Sequence, residues 1–208
     1  MTISNFPQGS SEWLRARAGK ITASNAWKII DRTAKGLPTA DHTNFKFSLV
    51  TERLTGEPTP TFVNDAMRHG TNTEPEARAF FSELFDVTVE EVGFITHPEF
   101  DFMGCSPDGI IAGDTLLEIK CLTTKNHLEM LLSKNPLKDH VLQCQYQMMI
   151  TQTSLAHLIY YDPRLPLELQ SKIFSLEADP EVQTLLRDSA IALDLEVSNI
   201  INQLKECI

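Results

Sequence analysis

No apolar run in the 208-residue sequence is long enough to cross a bilayer, which excludes a transmembrane helix. The first residues, Met1 to Ser11, lack the basic start and apolar stretch of a secretory signal, so cytoplasmic residence is the expectation. The four cysteines (Cys105, Cys121, Cys144 and Cys207) contain no CxxC pair. They read as reduced thiols rather than a zinc ribbon or a disulfide framework. Internal repeats and low-complexity stretches are absent as well, and no linker divides the chain. Positive charge is in deficit, with a formal net charge of −10. A DNA-binding surface gains affinity by releasing counterions from phosphates, which takes Lys and Arg, so the balance argues against a nucleic-acid partner. A local basic cleft can nevertheless coexist with an acidic exterior. Arg15, Arg17, Lys20, Lys28, Arg32 and Lys35 do crowd into one early stretch, although charge alone makes them a solvated helix face.

What is present is a core. With 42% hydrophobic residues, the chain suits one globular domain over residues 1–208. Helices are expected at Ser10 to Arg17, from a cap at Thr22 or Ser24 to Asp31, at Asn44 to Leu54 and at Ala66 to Phe85. Short β-rich runs follow at Val87 to Thr96, Phe100 to Met103, Gly109 to Ala112 and Thr115 to Lys120. Helices at Thr124 to Leu132 and Leu137 to Thr151 precede strands at Leu155 to Tyr161 and Ser171 to Leu176. A long amphipathic helix, Glu181 to Glu206, closes the chain with Leu186, Ala190, Leu193, Val197, Ile200 and Leu204 on one face. That face is expected to pack on the parent domain rather than on another subunit. Trp27, Met148 and Met149 read as core. The expected fold class is α/β (α+β), a mixed central sheet between helices with a helical N-terminal arm.

The stretches Ser106-Pro107-Asp108-Gly109 and Leu117-Glu118-Ile119-Lys120-Cys121 carry chemistry. Alternation along a strand points Glu118 and Lys120 the same way. A strict two-residue hairpin loop at Gly113-Asp114 would set Asp108 opposite Ile119, with the acids on different faces. A three-residue connection, Ala112-Gly113-Asp114, or a one-residue bulge brings Asp108 opposite Glu118, and that register is the expectation. Two carboxylates and a lysine on one surface suit a hard, oxygen-liganded cation such as Mg²⁺. In phosphodiester hydrolysis such a metal neutralises developing charge and acidifies a bound water, and a second one roughly 4 Å away stabilises the leaving oxygen. Glu-x-Lys by itself is a common surface tripeptide. Here Leu116, Leu117, Ile119 and Leu122 surround the charges, and burying ionisable groups is costly unless they pair or bind metal.

The order Pro-Asp, hairpin, Glu-x-Lys resembles the PD-(D/E)xK nuclease fold, and the flanking motifs resemble its lambda exonuclease (YqaJ-type phage recombinase) branch. These motifs are Trp13-Leu14-Arg15-Ala16-Arg17-Ala18-Gly19-Lys20-Ile21-Thr22-Ala23-Ser24, Gly70-Thr71-Asn72-Thr73-Glu74, Ser106 to Gly109, Glu118 to Cys121, Gln143-Cys144-Gln145-Tyr146 and Tyr161 to Arg164. Any one is weak, but their order and spacing make the likeness specific.

The resemblance implies that Glu74 joins Asp108, Glu118 and the backbone carbonyl of Ile119 around two Mg²⁺ ions, with Mn²⁺ as a substitute. It implies that Gln145 holds the water or Lys120, with Gln143 as the adjacent alternative. It places a 5′-phosphate pocket at Arg17, Ser24 and Ser106 and makes Met67 a candidate wedge at the duplex junction. His69, where the family has an aromatic residue, reads as helix surface or as support for the site. The implied activity is a 5′→3′ exonuclease on linear double-stranded DNA that leaves a 3′ overhang. The implied partners are DNA ends, two further copies in a ring-shaped homotrimer, and a phage single-strand annealing protein in a bacterial host. A PD-(D/E)xK endonuclease or other repair nuclease and an inactive DNA-binding protein of the same fold remain as alternatives. The iron–sulfur nucleases of this fold need a close C-terminal cysteine trio that the sequence lacks.

Overall fold

The computed structural model describes residues 2–60, 64–112 and 114–207. The chain opens with strand β1 (Thr2–Ser4), helix α1 (Ser11–Arg17) and strand β2 (Ile21–Thr22). Ser10 caps α1 by accepting the Trp13 N–H, as an N-terminal serine does. A 3-10 turn, Ala23–Asn25, then leads into the short α2 (Ala26–Ile30), so neither Thr22 nor Ser24 caps a long helix as expected. Helix α3 (Ala40–Thr55) starts earlier than Asn44 because the Thr39 hydroxyl accepts the His42 N–H. Helix α4 (Asp65–Phe85) is capped by Asn64, and Asp86 closes it in the left-handed conformation.

The expected run Val87 to Thr96 splits into β3 (Val89–Glu90) and β4 (Phe94–Thr96), which belong to different sheets. Strands β5 (Met103–Cys105), β6 (Gly109–Ile111) and β7 (Thr115–Lys120) follow. Next come α5 (Thr124–Leu132), α6 (Lys138–Thr151), β8 (Leu155–Tyr161), β9 (Ser171–Glu177) and α7 (Pro180–Glu206). In place of one central sheet there are two, with orders β1-β4-β5-β2 and β3-β6-β7-β8-β9, each mixing parallel and antiparallel pairs.

In the five-stranded sheet, β7 is central and buried on both faces. Leu117 and Ile119 pack with Ala77 and Phe81 of α4, while Leu116 packs with Cys144 and Met148 of α6 and Met130 of α5. The even-numbered positions of β7 therefore look toward α6. A third cluster joins Ile29, Leu49, Ile95, Met103 and Tyr146 to Leu186, Ala190, Leu193 and Val197 of α7. The closing helix thus packs on its own domain, as its apolar stripe implies, although Leu204 at its far end is exposed. Among the described residues, no helix is long and apolar enough to cross a membrane.

Candidate active site

The β6–β7 hairpin pairs Gly109 with Leu117, Ile110 with Leu116 and Ile111 with Thr115, leaving residues 112–114 as the connection. Gly113 lies outside the described residues, while the pairing on either side has the odd register that brings Asp108 opposite Glu118. Ala112 before it has φ 50°, in the left-handed region. Glycine at position 109 leaves room for β3 on the other side of β6: a Cβ there would lie 2.2 Å from Val89 Cγ1. Asp108 Oδ2 then accepts the backbone N–H of Ile119 at 2.6 Å.

Glu118 is almost fully enclosed, at 1% exposure. Its Oε1 accepts from Gln143 Nε2 at 2.5 Å and from Lys120 Nζ at 2.7 Å, and its Oε2 accepts from Gln147 Nε2 at 2.6 Å. Lys120 Nζ also donates to Gln143 Oε1 at 3.0 Å. Gln143 and Gln147 stand four residues apart, so one face of α6 presents both amides to the two oxygens of one carboxylate. The choice of Gln145 is corrected by this geometry. Its Nε2 donates to the Glu177 carbonyl at 2.7 Å, and its Oε1 accepts from the Asp179 N–H at 2.9 Å and from Gln183. Two residues of helix turn a side chain by about 200°, which faces Gln145 away from Glu118 and onto the β9–α7 junction.

Glu74 reaches the same cleft from α4, where Arg78 Nη2 donates to its Oε1 at 2.8 Å. Burial pushes the Glu74 carboxyl above its ordinary range, opposed by Arg78 and reinforced by Glu118 and Glu91. Burial pushes Asp108 well above the usual carboxylate range, and repulsion from Glu118 and Glu74 adds to it. For Lys120, burial works against the ammonium form, but Glu118 and Asp108 outweigh it and hold the group above the usual lysine range.

Arg17, Ser24, Ser106 and Met67 line that cleft too, which encloses about 420 Å³. Arg17 Nη2 donates to Ser24 Oγ at 3.3 Å, and the guanidinium lies 4.3 Å from the centroid of the Trp13 ring. Trp13 Nε1 in turn donates to Ser106 Oγ at 2.9 Å. Trp13 therefore joins the two halves of the expected phosphate pocket, a role the sequence reading left unassigned. Gly19 makes the turn between α1 and β2 at φ 70°, and α3 holds it: Glu52 accepts its N–H at 2.6 Å and Arg53 donates to its carbonyl. Met67 is 44% exposed at the rim of the cleft. His69 bonds Thr73 through Nδ1 and does not line the cleft. All four cysteines are free thiols.

Among the described residues, no three His, Cys, Asp or Glu side chains converge on one point as a preformed metal cage would. The donors that line the cleft are nonetheless the hard oxygens of Asp108, Glu118 and Glu74, with Ile119 beside them. Burial chiefly, and repulsion between neighbouring acids in addition, raises Asp108 and Glu74, and a divalent cation relieves both costs. The donor chemistry fits Mg²⁺.

Residues 12–154 match the YqaJ-like viral recombinase domain. The chain superposes on an alkaline exonuclease from Laribacter hongkongensis with a TM-score of 0.88 and 33% identity, covering 95% of this chain and 97% of that one. The same protein in complex with dAMP matches equally well. A phage-related exonuclease from Haemophilus somnus 129PT shares the fold, with a TM-score of 0.68 at 14% identity over 89% of this chain and 96% of that one. Among curated proteins, the uncharacterized protein R354 of Acanthamoeba polyphaga mimivirus is 29% identical over 108 residues, 52% of this chain. The aligned part is 18% of that relative's length.

Proposed function

The chain belongs to the YqaJ-like viral recombinase domain family and is built as a nuclease, and we propose that it is a Mg²⁺-dependent exonuclease acting 5′→3′ on linear double-stranded DNA, leaving a 3′ single-stranded overhang. One observation carries this reading. A single cleft is lined by the hydrogen-bond donors Arg17, Ser24 and Ser106 and by the acidic and lysine set of Asp108, Glu118, Lys120 and Glu74. A terminal phosphate seated on the first group leaves the following phosphodiester near the second, which sets both the polarity and the need for an end. The dAMP bound by the Laribacter relative is a nucleoside monophosphate, the size such a cleft would release.

In this reading Asp108, Glu118, Glu74 and the Ile119 carbonyl hold Mg²⁺, with Mn²⁺ as a substitute. The metal supplies charge neutralisation and a more acidic water. The protein's own groups do the rest. Lys120, held charged by Glu118 and Asp108, offsets phosphate charge and orients the attacking water. Arg17 keeps guanidinium N–H groups beyond the one given to Ser24, and these can fork onto a phosphate. Ser24 and Ser106 would add hydroxyl donors, and Met67 at the rim would part the duplex. The proposal extends to a single nuclease domain that assembles as a homotrimeric ring in the bacterial cytoplasm. It would hand its overhang to a phage-type single-strand annealing protein for recombination. A closed ring keeps hold of DNA because release requires an end.

The deciding assay uses linear duplex with 5′-phosphate or 5′-hydroxyl ends, each strand labelled, beside a covalently closed circle. Mg²⁺-dependent loss of the 5′-phosphorylated strand, with the circle intact, is expected. Cutting of the circle would instead make the protein an endonuclease, and binding without cutting an inactive relative. Native mass measurement checks the trimer.

A further inference from the structure

Arg78 is absent from the motifs of the sequence reading and does not line the cleft, yet it ties three separate stretches of the chain to one guanidinium. Its Nη2 donates to Glu74 Oε1 at 2.8 Å, its Nε to the backbone carbonyl of Asp108 at 2.9 Å, and its Nη1 to Glu91 Oε2 at 3.1 Å. Its side chain is 12% exposed, whereas Glu91 at the outer end is 61% exposed. The guanidinium therefore runs from the surface inward and ends on a carboxylate and a carbonyl at the wall of the candidate active site.

Helix α4 packs on the sheet through Ala77 and Phe81. Such contacts are non-directional. They set the distance of the helix without deciding where the Glu74 carboxylate points. A rigid planar fork supplies the missing direction, since each donor has a fixed bearing relative to the others.

We infer that Arg78 is a positioning residue of the active site, orienting Glu74 and pinning the main chain at Asp108 so that two acids on different elements keep one geometry. The inference rests on the reading that Glu74 and Asp108 serve the reaction. All three nitrogen positions of Arg78 are engaged within the protein, so it is a brace and not a phosphate clamp. Its cation also offsets one of the negative charges crowded into the cleft wall.

The test uses the full chain as R78M, R78K, E74Q and the E74Q/R78M double variant. Two quantities are measured: the nuclease rate across a Mg²⁺ titration, and the shift in melting temperature on adding Mg²⁺ without DNA. R78M is expected to lose about 10- to 100-fold in rate or apparent metal affinity, as loss of groups that orient metal ligands does. Its Mg²⁺-induced thermal shift should shrink by a similar factor in apparent affinity. R78K, which keeps the charge and loses the fork, should recover only a small part. Because the two residues act as a unit, the double variant should be no worse than E74Q alone. Wild-type metal dependence in R78M, full rescue by R78K, or multiplicative losses in the double variant would overturn the inference. Should R78M fail to fold, R78K carries the same comparison. A wild-type chain without nuclease activity would count against the proposed function, and the metal-induced thermal shift would still decide the role of Arg78.

Discussion

Asp108 Oδ2 accepts the backbone N–H of Ile119 at 2.6 Å, so the acid before β6 is locked to the strand that carries Glu118 and Lys120. Everything in the candidate site depends on that pairing, because a one-residue slip on a strand exchanges its two faces. Deleting one residue between 112 and 114 should leave the circular dichroism spectrum nearly unchanged and abolish DNA cleavage. Retained activity in the shortened hairpin would show that Asp108 need not meet Glu118.

The same acid sets a pH dependence. The folded pKa of Asp108 is raised by burial and by its acidic neighbours. The folded state therefore holds this proton more tightly than the unfolded state does. The resulting stabilisation is complete below the ordinary carboxylate range and is lost as pH rises through the raised folded value. Without metal, the melting temperature should fall toward alkaline pH, and Asp108→Asn should flatten that slope while removing activity. Nuclease activity should run the other way, rising as Asp108 ionises. An Asp108→Asn variant with the wild-type slope of stability against pH would contradict this account.

Three glutamines on α6 should separate by role. Gln143→Leu and Gln147→Leu each unclamp one oxygen of Glu118 and should cost about 10- to 100-fold in activity. Gln145→Leu strands the Glu177 carbonyl and the Asp179 N–H, and should cost about 1–3 kcal/mol of stability with kcat nearly intact. Urea titration and initial rates on the same preparations measure both effects.

Arg17→Ala should act on the DNA end alone. A hydrogen bond to a charged group is worth about 1.5–3 kcal/mol, so the rate on 5′-phosphorylated ends should fall by about 10- to 150-fold. Ends with a 5′-hydroxyl should change little. Trp13→Phe keeps the ring under Arg17 and removes the donor to Ser106, so a smaller loss with the same end preference is expected. Equal losses on both kinds of end would place Arg17 outside phosphate recognition.

Much of the site is legible in one dimension because it sits on one short strand. The period of two in Leu116 to Lys120 puts Glu118 and Lys120 on one face, and the apolar neighbours foretell their burial. The odd register of the hairpin follows from requiring Asp108 on that face. The helix is different. Leu142, Cys144, Tyr146, Met148 and Ile150 of α6 are buried along with Gln145 and Gln147. Such a helix has no polar stripe to show which glutamine faces what. The pieces of the smaller sheet hold only two or three residues each, too few to display a period.

Alternation along β7, the cap at Ser10 and the apolar stripe of α7 were determined by local sequence, because each depends on spacing within one element. Tertiary structure decided what spacing cannot carry. It set Asp108 on the Ile119 N–H, selected Gln143 and Gln147 over Gln145, and brought Trp13 between Arg17 and Ser106. It also set Arg78 astride Glu74 and Asp108. Those choices depend on how far one element is rotated and shifted against another, which is fixed only when their buried faces pack together.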